Sequence, residues 1–367
     1  MRGTSFDLRT AGVAAFVAAT ALTFATSSKA ADAWTYTVFE QQPPGFATEN
    51  PARKQITYKP LEKASKNWHV CVAHPHLADP YHLAYNYGYS EEAKRLGVTL
   101  DVVEAGGYDH LPKQISQIED CVARGANAVI ISAISFTGLD NLVQELDSQK
   151  IPVIDLGNGI SSPLVKAHSL GSYIDIGRGV GEYLAKLHPK GSGAAKVLWL
   201  PGPAGAGWAE DANKGFKAAV AGSAIEILDT KYGNSNKPEQ LKLVEDGLQT
   251  FPDIDYIVGV APAAEAGVDA IREAGRPKIR LIAYYQSPEV ASLLDQGSLF
   301  AMASDSAVIQ ARIAMDQAVR VLEGTDYVKH VTPAVVIVDS SNSKSWDRQA
   351  SLSPPGWTAV FHSSPAN

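Results

Sequence analysis

Cysteines and blocks of basic residues are the features that this sequence has least of. Its 367 residues include only two cysteines, Cys71 and Cys121, and its net charge is −7. The absence of a basic block argues against nucleic acids and anionic membranes as partners. In an oxidising compartment an even pair of cysteines favours a disulfide, and the alternative is two free buried thiols. Cys71 falls in a predicted strand and Cys121 near the end of a helix expected to pack over it.

Motifs for catalysis and for cofactors are also missing. The segment Gly202-Pro-Ala-Gly205 is rich in glycine, but it lacks the Lys and Ser/Thr of a phosphate-binding loop. His74 and His76 lie near His82, yet no carboxylate or cysteine beside them completes a metal site. The sequence therefore predicts a protein that is not an enzyme and that has neither a metal nor a cofactor.

Long apolar runs are confined to the N-terminus. Arg2 and Arg9 supply positive charge ahead of a run of small and apolar residues at 11–25. The segments 28–30 and 31–33 each offer a cleavage site between small residues. A membrane anchor is the alternative, but the run is too short to span a bilayer comfortably. We expect residues 1–33 to be a signal peptide, cleaved near Ala30 or Ala33, and the mature protein to be periplasmic.

From residue 68 onwards the sequence alternates between strand and helix patterns. Strands are predicted at 70–73, 98–103, 128–133, 151–154, 196–200, 225–228, 256–258, 279–283, 299–303 and 334–338. Helices are predicted to end at 96, and to cover 111–124, 138–149, 174–187, 208–221, 237–250, 263–274, 288–296 and 306–322. Such alternation predicts an α/β fold with parallel sheets covered on both faces, and the restart near residue 167 predicts two doubly wound lobes. Residues 34–67 are predicted to be a surface segment and residues 346–367 a surface tail.

One loop stands out after the first of these strands. Ligands of parallel sheets bind beyond the carboxyl ends of the strands. Asp79, Tyr81 and His82 follow the strand at 70–73 and are therefore predicted to face a cleft. The alternative is an ordinary loop between a strand and a helix, in which Asp79 caps the helix.

Three segments carry a resemblance to the type I, ribose-binding-like periplasmic binding proteins. They are Asp79-Pro-Tyr-His-Leu-Ala-Tyr-Asn-Tyr-Gly88, Ile151-Pro-Val-Ile154, and Gly202-Pro-Ala-Gly205 followed by Gly215-Phe216. The resemblance implies two lobes joined by a three-stranded hinge, with a ligand trapped between them. It implies a first lobe of 68–168 plus 300–325 and a second lobe of 169–299 plus 326–345.

Six segments resemble a narrower group, the TorT-like sensors of trimethylamine N-oxide. They are Pro75-His-Leu-Ala-Asp-Pro-Tyr81, Tyr85-Asn-Tyr-Gly88, Glu104-Ala-Gly-Gly-Tyr108, Gln114-Ile-Ser-Gln-Ile118 with Cys121, Pro201-Gly-Pro203 with Gly207-Trp208, and Asp255-Tyr-Ile-Val-Gly259 with Ala264-Glu265. This resemblance implies binding of trimethylamine N-oxide or a related small molecule, and signalling to the periplasmic domain of a TorS-like sensor histidine kinase. The alternative is a sugar or polyol receptor of an ABC importer.

The resemblance also implies a cage of aromatic side chains around a methylated, cationic nitrogen. Tyr81 matches the family, whereas His82 and Tyr173 stand where tryptophans are expected, which favours a related oxide or a more polar molecule. Of Tyr284 and Tyr285, one is expected to face the cleft and the other to pack. The predicted ligand-binding residues are Asp79, Tyr81, His82, Asn158, Tyr173, Trp208, Tyr284, Tyr285 and Asp305. Helix capping is the alternative role for Asp305, and helix packing is the alternative for Trp208.

Overall fold

The computed structural model describes residues 1–3, 34–47 and 51–365. The predicted signal peptide falls almost wholly on residues 4–33, which lie outside the described residues. Within the described part of the chain, no helix combines the length and the apolar character needed to cross a membrane.

Strands and helices alternate through most of the described chain, because buried apolar runs are separated by amphipathic segments. The strands are β1 (Tyr36–Gln42), β2 (Ala52–Tyr58), β3 (His69–His74), β4 (Thr99–Glu104), β5 (Ala128–Ile131), β6 (Val153–Leu156), β7 (Ala167–Ser169), β8 (Ala195–Gly202), β9 (Ile225–Tyr232), β10 (Tyr256–Gly259), β11 (Arg280–Ala283), β12 (Ala301–Ser304), β13 (His330–Pro333), β14 (Val336–Asp339) and β15 (His362–Ser363). The helices are α1 (Pro80–Leu96), α2 (Leu111–Ala123), α3 (Asp140–Ser148), α4 (Tyr173–Leu187), α5 (Gly207–Val220), α6 (Lys237–Thr250), α7 (Ala261–Glu273), α8 (Pro288–Asp295) and α9 (Ala307–Glu323).

The first lobe is built on a nine-stranded sheet in the order β15-β4-β3-β5-β6-β7-β13-β1-β2. Its centre, from β4 to β13, is parallel, and β15, β1 and β2 add antiparallel edges. Residues 70–73 of β3 are fully buried, as expected for a parallel sheet covered on both faces. Helices α1, α2, α3 and α9 pack on this sheet or on one another.

The second lobe is built on a six-stranded sheet in the order β14-β12-β11-β10-β8-β9. All neighbours are parallel except β14, which is antiparallel to β12. Helices α4 and α5 pack closely, and Gly215 allows this because any Cβ at that position would clash with the backbone oxygen of Ile174. The structure thus has the predicted α/β class with two doubly wound lobes.

The chain crosses between the lobes at 170–172, 305–306 and 334–335, in agreement with a three-stranded hinge. It then returns a fourth time, because the C-terminal segment leaves β14 and ends as β15 on the first lobe. On this path Arg348 pairs with Asp295 of the second lobe at 2.7 Å. The Trp357 indole then donates to the Asn86 amide oxygen of the first lobe at 3.0 Å.

Four of the expected boundaries differ from the structure. Residues 300–304 include β12, which belongs to the second sheet and not to the first lobe. Residues 330–333 form β13 of the first sheet, so 326–345 is not wholly second lobe. Residues 34–67 are not only a surface segment, because β1 pairs with β13 and adds a hairpin to the sheet. Residues 346–367 likewise supply β15. In each case hydrogen bonding between strands decides the lobe, and local composition does not report it.

The two cysteines form a disulfide that fastens helix to strand in the first lobe. Cys71 in β3 and Cys121 in α2 are both fully buried, and their Cα atoms lie 6.2 Å apart. The alternative of two free thiols is therefore not what the structure contains.

Candidate functional site

A small cavity lies between the two lobes, at the carboxyl ends of their strands. Its volume is about 10 Å³, room for about one water molecule. Nine residues line it: Asp79, Tyr81, His82, Tyr108 and Asn158 from the first lobe, and Tyr173, Trp208, Ser235 and Tyr285 from the second. Aromatic rings from both lobes therefore meet around one point.

The start of α1 positions the first-lobe side chains. The Asp79 carboxylate accepts a hydrogen bond from the Tyr81 backbone N–H at 3.0 Å, and Pro80 occupies the first turn, so the helix begins here. This start places Tyr81 and His82 in the first turn, beside the cavity. The Tyr81 hydroxyl donates to Asp305 at 2.8 Å, which holds its ring in place.

A glycine makes room for the indole of Trp208 in the second lobe. Gly202, at the end of β8, has φ 110°, and a Cβ there would lie 2.5 Å from the Trp208 ring. Because only glycine adopts this conformation easily and leaves this space, the segment 201–208 brings the indole to the cavity.

Three hydrogen bonds between cavity-lining side chains cross from one lobe to the other. The Tyr285 hydroxyl donates to Asp79 at 2.6 Å, and the Trp208 indole donates to the Tyr108 hydroxyl at 3.0 Å. The longest joins the Tyr173 and Tyr81 hydroxyls at 3.4 Å. The structure therefore has its lobes closed on each other, and the side chains that line the cavity also hold it shut.

The Tyr108 hydroxyl has an unused donor. It accepts a hydrogen bond from the Asn158 side-chain Nδ2 at 2.9 Å and one from the Trp208 Nε1 at 3.0 Å. Both of these nitrogens can only donate, so neither can accept the Tyr108 proton. Within residues 34–47 and 51–365, no group accepts a hydrogen bond from the Tyr108 hydroxyl. The hydroxyl can therefore donate one hydrogen bond to a molecule in the cavity.

The charged groups at the site are acidic. Burial raises the pKa of Asp79 to about 6, and hydrogen bonds from Tyr285 and Tyr81 oppose that rise. Burial also raises the pKa of Asp305. None of the nine lining residues is Lys or Arg. The site thus suits a molecule with positive charge and disfavours an anion.

Three buried histidines extend from the cavity into the first lobe. His82 lines the cavity, and its ring centroid lies 5.1 Å from that of His76 and 5.4 Å from that of His74. Burial lowers the pKa of His74 to about 3 and of His76 to about 4, and it lowers the pKa of His82 well below its usual value. All three rings are therefore neutral. Among the described residues, no group of three or more His, Cys, Asp or Glu is arranged to hold a metal ion.

Seven of the nine residues predicted to bind ligand line the cavity; the exceptions are Tyr284 and Asp305. Tyr284 packs against Trp199, and its hydroxyl donates to the backbone oxygen of Pro201. Of the two adjacent tyrosines, Tyr285 is therefore the one at the cleft. Asp305 lies one layer behind the cavity, where it holds Tyr81 and accepts from Gln286 at 3.1 Å. It does not cap α9, whose cap residue is Ser306.

Sequence reasoning missed two of the lining residues, Tyr108 and Ser235. Tyr108 follows β4 within the Glu104-Ala-Gly-Gly-Tyr108 segment, and Ser235 follows β9. Both lie beyond carboxyl ends of strands, so the rule that selected Asp79 would have found them if it had been applied to every strand.

Comparisons with known proteins agree with this fold. The family model described as "periplasmic binding protein domain" matches residues 70–326. The periplasmic protein TorT of Escherichia coli strain K12 is 36% identical over 299 residues, covering 82% of this chain and 86% of TorT.

Two solved structures share the fold. A solute-binding protein of an ABC transporter from Bradyrhizobium sp. BTAi1, solved with bound bis-tris, is 52% identical with a TM-score of 0.78, over 89% of this chain and 98% of that one. The complex of the TorS sensor domain with TorT in the presence of trimethylamine N-oxide (TMAO) matches with 31% identity and a TM-score of 0.73, over 80% of this chain and all of that one. The chain therefore belongs to the type I periplasmic binding protein family, and the TorT proteins are among its relatives in that family.

Proposed function

We propose that this protein is a periplasmic sensor component that traps TMAO, or a closely related amine oxide, between its lobes. In this proposal it reports the bound state to the periplasmic domain of a TorS-like sensor histidine kinase. The observation that carries the proposal is the meeting of four rings, Tyr81, Tyr173, Trp208 and Tyr285, with the unused donor of Tyr108.

The chemistry of TMAO matches these groups. Its nitrogen carries positive charge shielded by three methyl groups, and aromatic faces attract such cations by about 0.5–2 kcal/mol per ring. Its oxide oxygen accepts hydrogen bonds, and the Tyr108 hydroxyl has one to give. The buried Asp79 adds attraction for the cationic part without offering a competing donor.

Signalling follows from closure of the lobes. The cavity has room for only about one water molecule in this closed form, so a ligand must enter while the lobes are further apart. A ligand that touches Tyr81 and Tyr108 of the first lobe and Trp208 and Tyr285 of the second then gains contacts only on closure. Because only contacts that differ between the open and closed forms shift their balance, such a ligand would favour one form for the kinase to recognise. The TorS–TorT complex supports this partner.

Location and class follow from the family. TorT is named as a periplasmic protein and the matching family model as a periplasmic binding protein domain, which supports export and a role in binding without catalysis. Export would begin with the predicted signal peptide at 1–33.

A second candidate is a receptor for a sugar or polyol in an ABC importer. The observation that favours it is the 52% identical relative, which is described as an ABC transporter solute-binding protein. Against it, a sugar needs several charged and amide groups for its hydroxyls. The cavity has one carboxylate and one amide, Asp79 and Asn158, and both already bond protein groups.

Calorimetric titration of the mature protein with TMAO, trimethylamine and ribose tests the proposal. We expect saturable binding of TMAO, and binding of trimethylamine at least about tenfold weaker because it has no oxide oxygen. Tyr108→Phe should weaken TMAO binding by about tenfold. Tyr183→Phe is the matched control, since this hydroxyl bonds Asp339 away from the cavity. Binding of ribose in place of TMAO would establish the importer function, and no binding of TMAO would refute the proposed ligand.

A further inference from the structure

The histidines beside the cavity have polar atoms that the protein leaves without partners. Nine buried side-chain nitrogen or oxygen atoms lack a hydrogen bond in the described residues, and four of them are here: both ring nitrogens of His74 and Nδ1 of His76 and His82. Leaving such an atom buried and unpaired costs about 1–3 kcal/mol. A concentration of unpaired atoms beside a binding cavity calls for a polar group from outside the protein.

Only one of these rings reaches the cavity directly. His82 is 4% exposed, lies in the first turn of α1 and lines the cavity. His76 packs edge to face against both His82 and Tyr108, with centroids 5.1 and 5.6 Å apart. His76 therefore lies between His82 and the Tyr108 ring on the first-lobe side, while the rings of Tyr285 and Trp208 come from the other lobe.

We propose that His82, with His76 behind it, forms a subsite for a hydroxyl group on the ligand. The ligand class is then a tertiary amine oxide that carries a hydroxyalkyl arm. This inference rests on the proposed function, because it assumes that the aromatic rings and Tyr108 hold the amine oxide itself.

A hydroxyl suits this subsite better than a charged group. Neutral imidazole offers one donor and one acceptor, and a hydroxyl offers both in return. A carboxylate arm would lie near the buried Asp79 and Asp305 with no Lys or Arg on the cavity wall to balance it. An ammonium arm would place a second positive charge beside the amine oxide nitrogen.

The ring nitrogens also distinguish His82 from the tryptophan that the family resemblance leads one to expect. Tryptophan would present a larger aromatic face to a methyl group and a single donor. His82 presents a smaller face and adds an acceptor. The substitution thus exchanges attraction for a methyl group for recognition of a hydroxyl.

Calorimetry of the mature chain with three amine oxides tests this subsite. They are TMAO, N,N-dimethylethanolamine N-oxide and N,N-dimethylglycine N-oxide, which differ only in whether the third substituent on the nitrogen is a methyl, a 2-hydroxyethyl or a carboxymethyl group. We expect the hydroxylated oxide to bind at least about tenfold tighter than the other two, equivalent to about 1.4 kcal/mol.

Two variants then locate the preference. His82→Phe should bring the affinity for the hydroxylated oxide down to that for TMAO, and His82→Trp should make TMAO the preferred ligand. His110→Phe is the matched control, because His110 is exposed before α2 and caps nothing with its side chain. The ranking of ligands by the unmodified chain decides the matter even if a variant fails to fold.

The outcomes separate the two proposals. TMAO binding without a preference for the hydroxylated oxide would overturn the subsite and leave the proposed function standing. A preference that survives in folded His82→Phe would also overturn it. Failure of all three oxides to bind would refute the proposed function together with the subsite.

Discussion

Two groups of buried histidines in the first lobe differ in how the protein pairs them. His168 and His330 lie opposite each other on β7 and β13, with ring centroids 5.0 Å apart. The His168 Nδ1 lies 2.9 Å from Asp155, and the His330 Nδ1 accepts from the Gln41 amide at 3.2 Å and from the Gly45 backbone N–H at 3.1 Å. This hinge pair is held by the protein itself.

The cavity group, His74, His76 and His82, has no such partners at its buried nitrogens in the described part of the chain. The rings contact one another and neighbouring tyrosines by their faces and edges. Burial is similar in the two groups, so burial does not separate a structural histidine from a functional one. What separates them is whether the fold supplies the hydrogen bonds.

The largest effect should follow from breaking the hinge pair. Asp155→Ala would leave His168 and the backbone N–H groups of Gly159 and Ile160 without their buried acceptor. We expect the free energy of unfolding to fall by about 3–5 kcal/mol, measured by urea denaturation. Asp101→Ala is the control, because Asp101 pairs with His69 and His362 but is partly exposed and should cost below about 1 kcal/mol. Equal losses in the two variants would contradict the comparison.

Replacing one ring in each group should change stability in opposite directions. His168→Phe would leave the buried Asp155 carboxylate without its histidine partner and should destabilise the fold by about 2–3 kcal/mol. His74→Phe removes two unpaired nitrogens while keeping an aromatic ring against Tyr85 and Tyr89, and should stabilise it by about 1–2 kcal/mol. Urea denaturation of both variants checks this, and a loss of stability in His74→Phe would show that its nitrogens are satisfied after all.

The pH dependence of the free energy of unfolding should report on the cavity group. Burial lowers the pKa of His74 from 6.5 to about 3, so the unfolded chain takes up this proton at higher pH than the folded chain does. The pH-dependent cost of keeping the ring neutral is therefore absent above pH 6.5 and grows as the pH falls towards 3. In His74→Phe the free energy of unfolding should fall less steeply with decreasing pH, by up to about 1.4 kcal/mol per pH unit. Parallel stability curves for the two chains would mean that His74 is not held neutral.

The smallest effect should come from removing one of two donors to the hinge pair. Gln41→Ala takes the amide away from His330 and from the backbone oxygen of Gly45, but the Gly45 N–H still donates to the ring. We expect a loss of about 1 kcal/mol or less in thermal or urea unfolding. A loss as large as that of Asp155→Ala would indicate that the N-terminal hairpin depends on this one side chain.

Local pattern was enough to predict the repeating part of the fold. The apolar runs that form β3, β5, β8 and β10 are continuous and buried. Each could therefore be identified as a strand without knowing which strands it pairs with. The hairpin β1–β2 and the edge strand β15 were not predicted, because each is defined by the strand it pairs with. Pairing over hundreds of residues leaves little trace in local composition.

The site was predictable to the extent that position along a strand decides it. Residues directly after a strand, such as Tyr285 and Asn158, were found by that rule. The rule could not decide which of two adjacent tyrosines faces the cavity. Tyr284 does not, because its hydroxyl donates to the Pro201 backbone oxygen and its ring packs against Trp199. The missing partners of His82 were also beyond the sequence, since an unpaired atom is a property of the packed structure.

The edges of the first sheet imply an order of assembly. That sheet takes β1 and β2 from the start of the described chain and β15 from its end, whereas the second sheet uses only strands between residues 195 and 339. During synthesis the second lobe therefore has all its strands before the first lobe does. Until residue 363 emerges, β4 remains an open edge that another chain could pair with. Residues 362–363 thus cover the exposed edge of β4, and a chain truncated near residue 340 should aggregate more readily than the full chain.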